Sequence, residues 1–162
     1  MDQLLFHPKV VHLPIALAIL MPLVSAGLLA AWATGFLPRR VWVIAALLQA
    51  LLVGSGLLAL QTGEGEEDRV ERVVAEKLID AHAEAAEAFV WGAGAILLLH
   101  LAVVAVRNER TARAAALAAT LGTFLVLFLG YRTGQAGGAL VYSHGAATAY
   151  ATAVAQPQQE DD

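Results

Sequence analysis

Five histidines are the side chains in this 162-residue sequence that are best suited to chemistry. The chain has no cysteine, which excludes disulfides, thiolate metal sites, iron–sulfur clusters and covalently attached c-type haem. No Ser-His-Asp arrangement and no His-Glu-x-x-His zinc helix is present. Because neutral imidazole is the commonest metal ligand and also ligates haem iron, the histidines indicate a metal or haem site.

The sequence around the histidines predicts membrane-spanning helices. The chain is 59% hydrophobic and 15% charged, whereas a soluble domain carries roughly 25% charged residues. A bilayer core of about 30 Å needs about 20 apolar residues per helix. Stretches of that length are Val10–Phe36, Val41–Gln61, Ala83–Val106 and Ala114–Tyr131. We therefore expect an all-α, integral membrane four-helix bundle, with one domain over residues 1–155 and a flexible tail over 156–162.

Two segments between or after the spans have a different composition. Thr62–Ala81 is rich in acidic residues, and its apolar residues recur at helical spacing. This pattern predicts a short amphipathic helix on the membrane surface, either separate from the third span or continuous with it. The stretch after the fourth span opens with Gly134, Gly137 and Gly138, and Ala139–Ala155 is too short to span a bilayer. It predicts a glycine-hinged segment that folds back against the mouth of the bundle.

The distribution of arginine predicts the orientation. Four spans place both termini and the acidic loop on one membrane face. Two very short turns on the other face contain Arg39, Arg40, Arg107, Arg110 and Arg113. Because the positive-inside bias is strongest in short loops, we expect these turns in the cytoplasm and both termini on the periplasmic, outer side of a bacterial inner membrane. The net charge of −4 gives no indication of nucleic-acid binding.

This topology places four of the five histidines on one membrane face. His7 and His12 flank the start of the first span, His82 opens the third, and His144 lies in the folded-back segment. A single histidine at a helix end most often only caps or hydrogen-bonds, but the convergence of four makes a metal or haem shared by at least two of them an equal alternative. His100 lies about 27 Å from His82 along the helix, so we expect it to make a polar interhelical contact, for instance with Gln49.

Other polar and aromatic residues near the cluster have more limited expected roles. Glu84 or Glu87 would orient a ligand histidine through its second ring nitrogen, although most of the acidic residues are expected to form a solvated rim. Arg132 would pair with a haem propionate or with one of these glutamates. Three tryptophans fall near span ends or a few residues inside them, and we expect them to be interfacial anchors: Trp32, Trp42 and Trp91.

Two end motifs give a family resemblance. The opening run His7-Pro8-Lys9-Val10-Val11-His12-Leu13-Pro14 and the closing run Gly137-Gly138-Ala139-Leu140-Val141-Tyr142-Ser143-His144-Gly145 resemble those of a bacterial membrane family catalogued as domain of unknown function 2231. Thr62-Gly63-Glu64 and His82-Ala83-Glu84 fit its middle. The resemblance implies a four-helix architecture. Because related domains occur beside cytochrome c-type modules, it also implies a redox setting with a c-type cytochrome or larger redox complex as partner.

Three functions are compatible with these patterns. The first is a haem b-binding electron-transfer protein or redox-complex subunit, with His12 and His82 as axial ligands, while His7 and His144 close the pocket or hold a second haem. The second is a non-haem histidine and carboxylate site for zinc, copper or iron, either catalytic or for metal handling. The third is a structural subunit of a respiratory or photosynthetic complex. Under each of the three functions the protein would contact the lipid bilayer.

Overall fold

The computed structural model describes residues 6–149, and these contain helices and turns but no β-strand. The helices in chain order are α1 (Phe6–Val10), α2 (His12–Ala33), α3 (Trp42–Glu64), α4 (Glu67–Val70), α5 (Glu76–Ala105) and α6 (Glu109–Tyr142). By length and composition, α2, α3, α5 and α6 could each cross a membrane. The predicted all-α four-helix membrane bundle is therefore confirmed.

The bundle places small residues inside and large apolar residues outside. Ala45, Ala93 and Ala116 are fully buried, whereas Leu23 is 71% exposed and Leu98 is similarly exposed. Lipid tails are as apolar as leucine, so helices in a bilayer associate through close packing of small residues and not through burial of large ones. The distribution is the one expected of a bundle whose solvent is lipid.

The contact between α5 and α6 is the most extensive in the bundle, and glycines make it possible. A Cβ added at Gly92 would lie 2.9 Å from Leu129 Cδ1, and one at Gly130 would lie 3.1 Å from Phe89 Cε2. These glycines let the large side chain of the neighbouring helix approach the backbone. At its start α6 is capped by Asn108, whose Oδ1 accepts from the Thr111 backbone N–H at 3.0 Å.

A cluster of basic residues marks one end of the bundle, which we call the arginine end: Arg39, Arg40, Arg107, Arg110 and Arg113. Arg39 Nη1 donates to the Val106 carbonyl at 2.9 Å and lies 3.4 Å from Glu109 Oε1. One guanidinium therefore ties the turn between α2 and α3 to the turn between α5 and α6.

The tryptophans do not all lie where an interfacial anchor would be found. Trp32 and Trp42 are buried, with their rings in an edge-to-face contact at 6.4 Å between centroids. The prediction was wrong for this pair because position near a span end does not determine which side of the helix a residue occupies. Trp91 is 77% exposed, but it lies about halfway along α5.

The two segments of different composition are shorter than predicted. In the acidic loop only Glu67–Val70 forms a separate helical turn, and the residues from Glu76 onward already belong to α5. The three glycines after the fourth span do not form a hinge, because α6 continues through them to Tyr142. Only Gly137 of the three is closely packed against α5, through the ring of His82, and that packing offsets part of the roughly 1 kcal/mol that glycine costs in a helix.

The chain does reverse, but further along. Gly145 has φ 74°, a conformation that side chains disfavour. Immediately after it Ala146 is buried against Val74, Ile79 and Leu140. This packing attaches the folded-back segment to the loop below α5. The continuation of that segment after residue 149 and the predicted tail over 156–162 lie outside the described residues.

Candidate functional site

His7 is held by the C-terminal turn of α3. Its Nδ1 lies 3.0 Å from Thr62 Oγ1, and the Thr62 hydroxyl donates its own proton to the Ala59 carbonyl at 3.0 Å. The hydroxyl therefore accepts from the His7 Nδ1–H, which leaves Nε2 as the unprotonated nitrogen. A Cβ added at Gly63 would lie 3.2 Å from His7 Cε1, so the glycine provides the space for the ring.

His82 of α5 lies against a glycine of α6, as His7 lies against a glycine of α3. Its ring lies against Gly137 of α6, where an added Cβ would come within 2.9 Å of Cε1. The backbone of Thr133, one turn earlier in α6, also contacts the ring. The buried Nδ1 has no hydrogen-bond partner among residues 6–149. A buried ring nitrogen without a partner costs free energy, so the described residues leave this atom unsatisfied.

These two imidazoles lie at the same end of the bundle, which we call the histidine end. His7 belongs to α1 and His82 to α5, and a positive charge on His7 disfavours one on His82. Glu66 is near enough to His7 for an electrostatic attraction, and its carboxylate also accepts from Arg69 at 2.7 Å. The structure thus places His7, His82 and an acidic side chain at one end of the bundle.

The structure leaves the other two predicted members of the cluster at the surface. The side chains of His12 and His144 are exposed, and His144 is held through its backbone N–H, which donates to the Ala139 carbonyl at 3.1 Å. The preferred pair of His12 and His82 remains a prediction, but His82 has His7 as its histidine neighbour.

Three charged residues predicted near the site are also exposed: Glu84, Glu87 and Arg132. Within residues 6–149 their side chains make no hydrogen bond or ion pair. Their predicted roles in orienting a histidine or holding a propionate therefore remain predictions. In the same part of the chain, no group of three or more His, Asp or Glu side chains is arranged to hold a metal ion.

His100 forms a separate buried polar contact. Its Nδ1–H donates to the Ile96 carbonyl at 2.9 Å, and its Nε2 accepts from the Ser25 hydroxyl at 3.1 Å. The predicted polar interhelical contact is present, but with Ser25 of α2. Gln49, the partner expected from depth alone, donates instead to the Ala93 carbonyl at 2.9 Å. Both ring nitrogens of His100 are therefore occupied.

The sequence alone assigns Thr62 and Gly63 no role beyond their motif, and it predicts Gly137 as part of a hinge. A glycine has no side chain to suggest chemistry, and only the packing of a neighbouring ring shows why it is needed. Thr133 carried no motif signal. The signal that could have identified Gly63 and Gly137 is their occurrence in the same short motifs as the acidic and histidine residues.

Comparison with known proteins gives one result. The family model described as "Predicted membrane protein (DUF2231)" matches residues 4–150. No curated protein and no solved structure shows a significant match to the chain. The matched region includes all five histidines.

Proposed function

The chain belongs to the DUF2231 family of predicted membrane proteins, and from that premise we propose that it binds haem b at the histidine end and transfers electrons, alone or as a subunit of a redox complex. The observation that supports this most directly is the pairing of His7 and His82. Each ring lies against a glycine. The Nε2 of His7 is unprotonated, and the Nδ1 of His82 has no hydrogen-bond partner among the described residues.

The number of protein ligands favours haem over a bare metal ion. Haem iron takes its four equatorial nitrogens from the porphyrin and needs only axial ligands from the protein. A zinc site takes three or four protein ligands. Among residues 6–149 the histidine end offers two imidazoles and no third His, Asp or Glu in ligating position. We therefore prefer His7 and His82 as the two side chains that would hold the haem iron.

The surrounding residues would fix the ligands. Thr62 sets the tautomer of His7, and helix α5 sets the direction of the His82 ring. Gly63 and Gly137 leave the space that the rings occupy. The haem would supply reversible one-electron chemistry, and the protein would supply orientation and a partly buried environment that tunes the potential.

A second candidate is a copper site on the same pair. Imidazole suits copper as well as haem iron, and the shortage of third ligands weighs against zinc. The predicted structural role, in which the histidines only hydrogen-bond, is the third possibility. Metal content distinguishes these functions more clearly than any activity assay.

The test is an absorption spectrum of the protein purified in detergent after expression with sufficient haem precursor and metals. We expect reduced-minus-oxidised bands of a bis-histidine haem at about one haem per chain. His82→Ala should lose most of the haem, while His100→Ala, whose ring is engaged elsewhere, should retain it. Equal amounts of folded, membrane-inserted protein must be compared.

Metal analysis of the same samples distinguishes a copper site from a purely structural role of the histidines. Copper at a stoichiometric level without haem would replace the first proposal by the second. Wild-type protein that contains neither haem nor metal under these conditions would contradict both, and would leave the structural role.

A further inference from the structure

A groove near the arginine end has no part in the proposed haem site. It is a cavity of about 190 Å³ between α2 and α6. Its lining, which we call the arginine groove, consists of Leu29, Trp32, Ala33, Arg113 and Leu117. Ala33, Arg113 and Leu117 are exposed, so the groove opens on the outer surface of the bundle. That surface faces lipid in a membrane.

Arg113 is held at the groove by a ring contact. Its guanidinium carbon lies 5.3 Å from the centroid of the Trp32 ring, within the range of a cation–π interaction. Within residues 6–149 the guanidinium makes no hydrogen bond or ion pair. It is therefore a positioned cation whose N–H donors are available to an anion. Arginine offers several such donors to a phosphate.

The charge around the groove strengthens this preference for an anion. Five arginines lie at the arginine end, and the acidic residue in the same turns is Glu109, which lies beside Arg39 at 3.4 Å. Arg113 is thus the arginine of this end that lines the groove, with its guanidinium over the Trp32 ring, while Arg39 is bound to Val106 and Glu109. The local charge is positive, and it is complementary to anionic lipid headgroups.

We propose that the arginine groove binds an anionic phospholipid, with the phosphate on Arg113 and one acyl chain along the apolar wall. A basic residue at the end of an apolar groove between two membrane helices matches the two halves of such a molecule. A free anion would use Arg113 but not Leu29 and Leu117. A neutral lipid would use the leucines but not the charge.

Native mass spectrometry of the detergent-purified protein tests the proposal. The probes are phosphatidylglycerol and phosphatidylcholine with identical acyl chains. We expect wild-type protein to bind phosphatidylglycerol more tightly. Arg113→Gln should reduce that affinity about fivefold and leave phosphatidylcholine binding unchanged, since one basic residue near an anionic surface contributes about a factor of five. Arg113→Lys should retain most of the preference.

Two further variants separate the groove from general surface charge. Arg107→Gln removes an exposed arginine of the same end that does not line the groove, and it should change the affinity less than twofold. Ala33→Leu narrows the groove without changing charge, and it should weaken both lipids. Circular dichroism verifies that each variant is folded. If Ala33→Leu does not fold, the comparison of Arg113→Gln with Arg113→Lys still tests whether the preference for the anionic lipid depends on the charge at position 113.

Three results would overturn the proposal. They are equal affinity of the wild-type protein for the two lipids, equal effects of Arg107→Gln and Arg113→Gln, and full binding by a folded Ala33→Leu. The last two would mean that arginines attract anionic lipid to this end without a groove. None of these results bears on haem content, which depends on the opposite end of the bundle.

Discussion

Gly137 of α6 lies directly against the imidazole of His82 in α5, so closely that a Cβ at position 137 would be 2.9 Å from Cε1 of the ring. Real Cβ contacts are essentially never that short, so one of the two groups must move if a side chain is added. The ring is the more mobile partner, because it is the far end of a side chain while Gly137 is fixed in a long helix.

Gly137→Ala should therefore displace the His82 ring without unfolding the bundle. We expect the variant to lose most of the bound haem or metal, while its stability stays within about 1 kcal/mol of wild type, because alanine also improves helix propensity. The measurements are cofactor content per folded chain and unfolding in mixed detergent micelles.

Gly138→Ala is the matched control for that experiment. Position 138 is the next residue of the same helix, and an added Cβ meets nothing within 4 Å. The control should retain its cofactor. If both variants retained full occupancy, the close contact between Gly137 and His82 would have no role in binding.

The two N-terminal histidines should differ in effect. His7→Ala should remove most of the cofactor, because His7 lies at the same end of the bundle as His82 and interacts with it electrostatically. His12→Ala should leave most of it bound, because the His12 side chain is exposed. Absorption and metal content of the two variants at equal protein concentration check this. The reverse order would restore the axial pair His12 and His82.

Ser25→Ala should destabilise the bundle without affecting the cofactor. The substitution removes the Ser25–His100 hydrogen bond, and buried interhelical bonds in membranes contribute about 0.6 kcal/mol on average and up to about 1.7. Ser55→Ala is the control, because Ser55 bonds only to the Leu52 carbonyl of its own helix. A double-mutant cycle with His100→Ala should give a coupling of that size, and a coupling near zero would contradict the contact.

Gly122→Ala should disturb the seam between α5 and α6. A Cβ at position 122 would overlap Cδ1 of Ile96, so the two helices or the isoleucine must shift. We expect a loss of about 1–3 kcal/mol in the free energy of unfolding, as for overpacked cores. Gly94→Ala, where an added Cβ meets nothing within 4 Å, should be neutral or slightly stabilising.

The arginine end should face the cytoplasm. The basis is the concentration of arginine in two short turns. Reporter fusions after Arg40 and after Asp68, both exposed, check this by activity on opposite sides. Activity at Arg40 of a reporter that works only in the periplasm would invert this orientation. It would still leave His7 and His82 at the same end of the bundle.

The spans were predictable because a backbone in lipid must satisfy its own hydrogen bonds. The predicted Val41–Gln61 differs little from the observed α3, Trp42–Glu64. The helix ends were less predictable. Helix α5 begins at Glu76 and not near Ala83, because a charged residue is no obstacle to a helix that has left the hydrocarbon.

The site was predictable in location but not in pairing. Counting residues along a helix gives depth, whereas the direction of a side chain around the bundle depends on packing. His7 and His12 show this, because the backbone through Val11 is helical and their five-residue spacing places them about 140° apart around the helix. The same limit explains why Gln49 was expected beside His100, where Ser25 is found.

The length of α5 bears on where between the two membrane faces His7 and His82 lie. From His82 to Ala105 the helix rises about 35 Å, more than the roughly 30 Å of hydrocarbon. The pair therefore lies at the level of one aqueous boundary. His100, the histidine further along α5, has both ring nitrogens bonded to Ser25 and Ile96. A redox group at His7 and His82 would exchange electrons with a carrier docked on that side. The bundle alone would not transfer electrons across the bilayer.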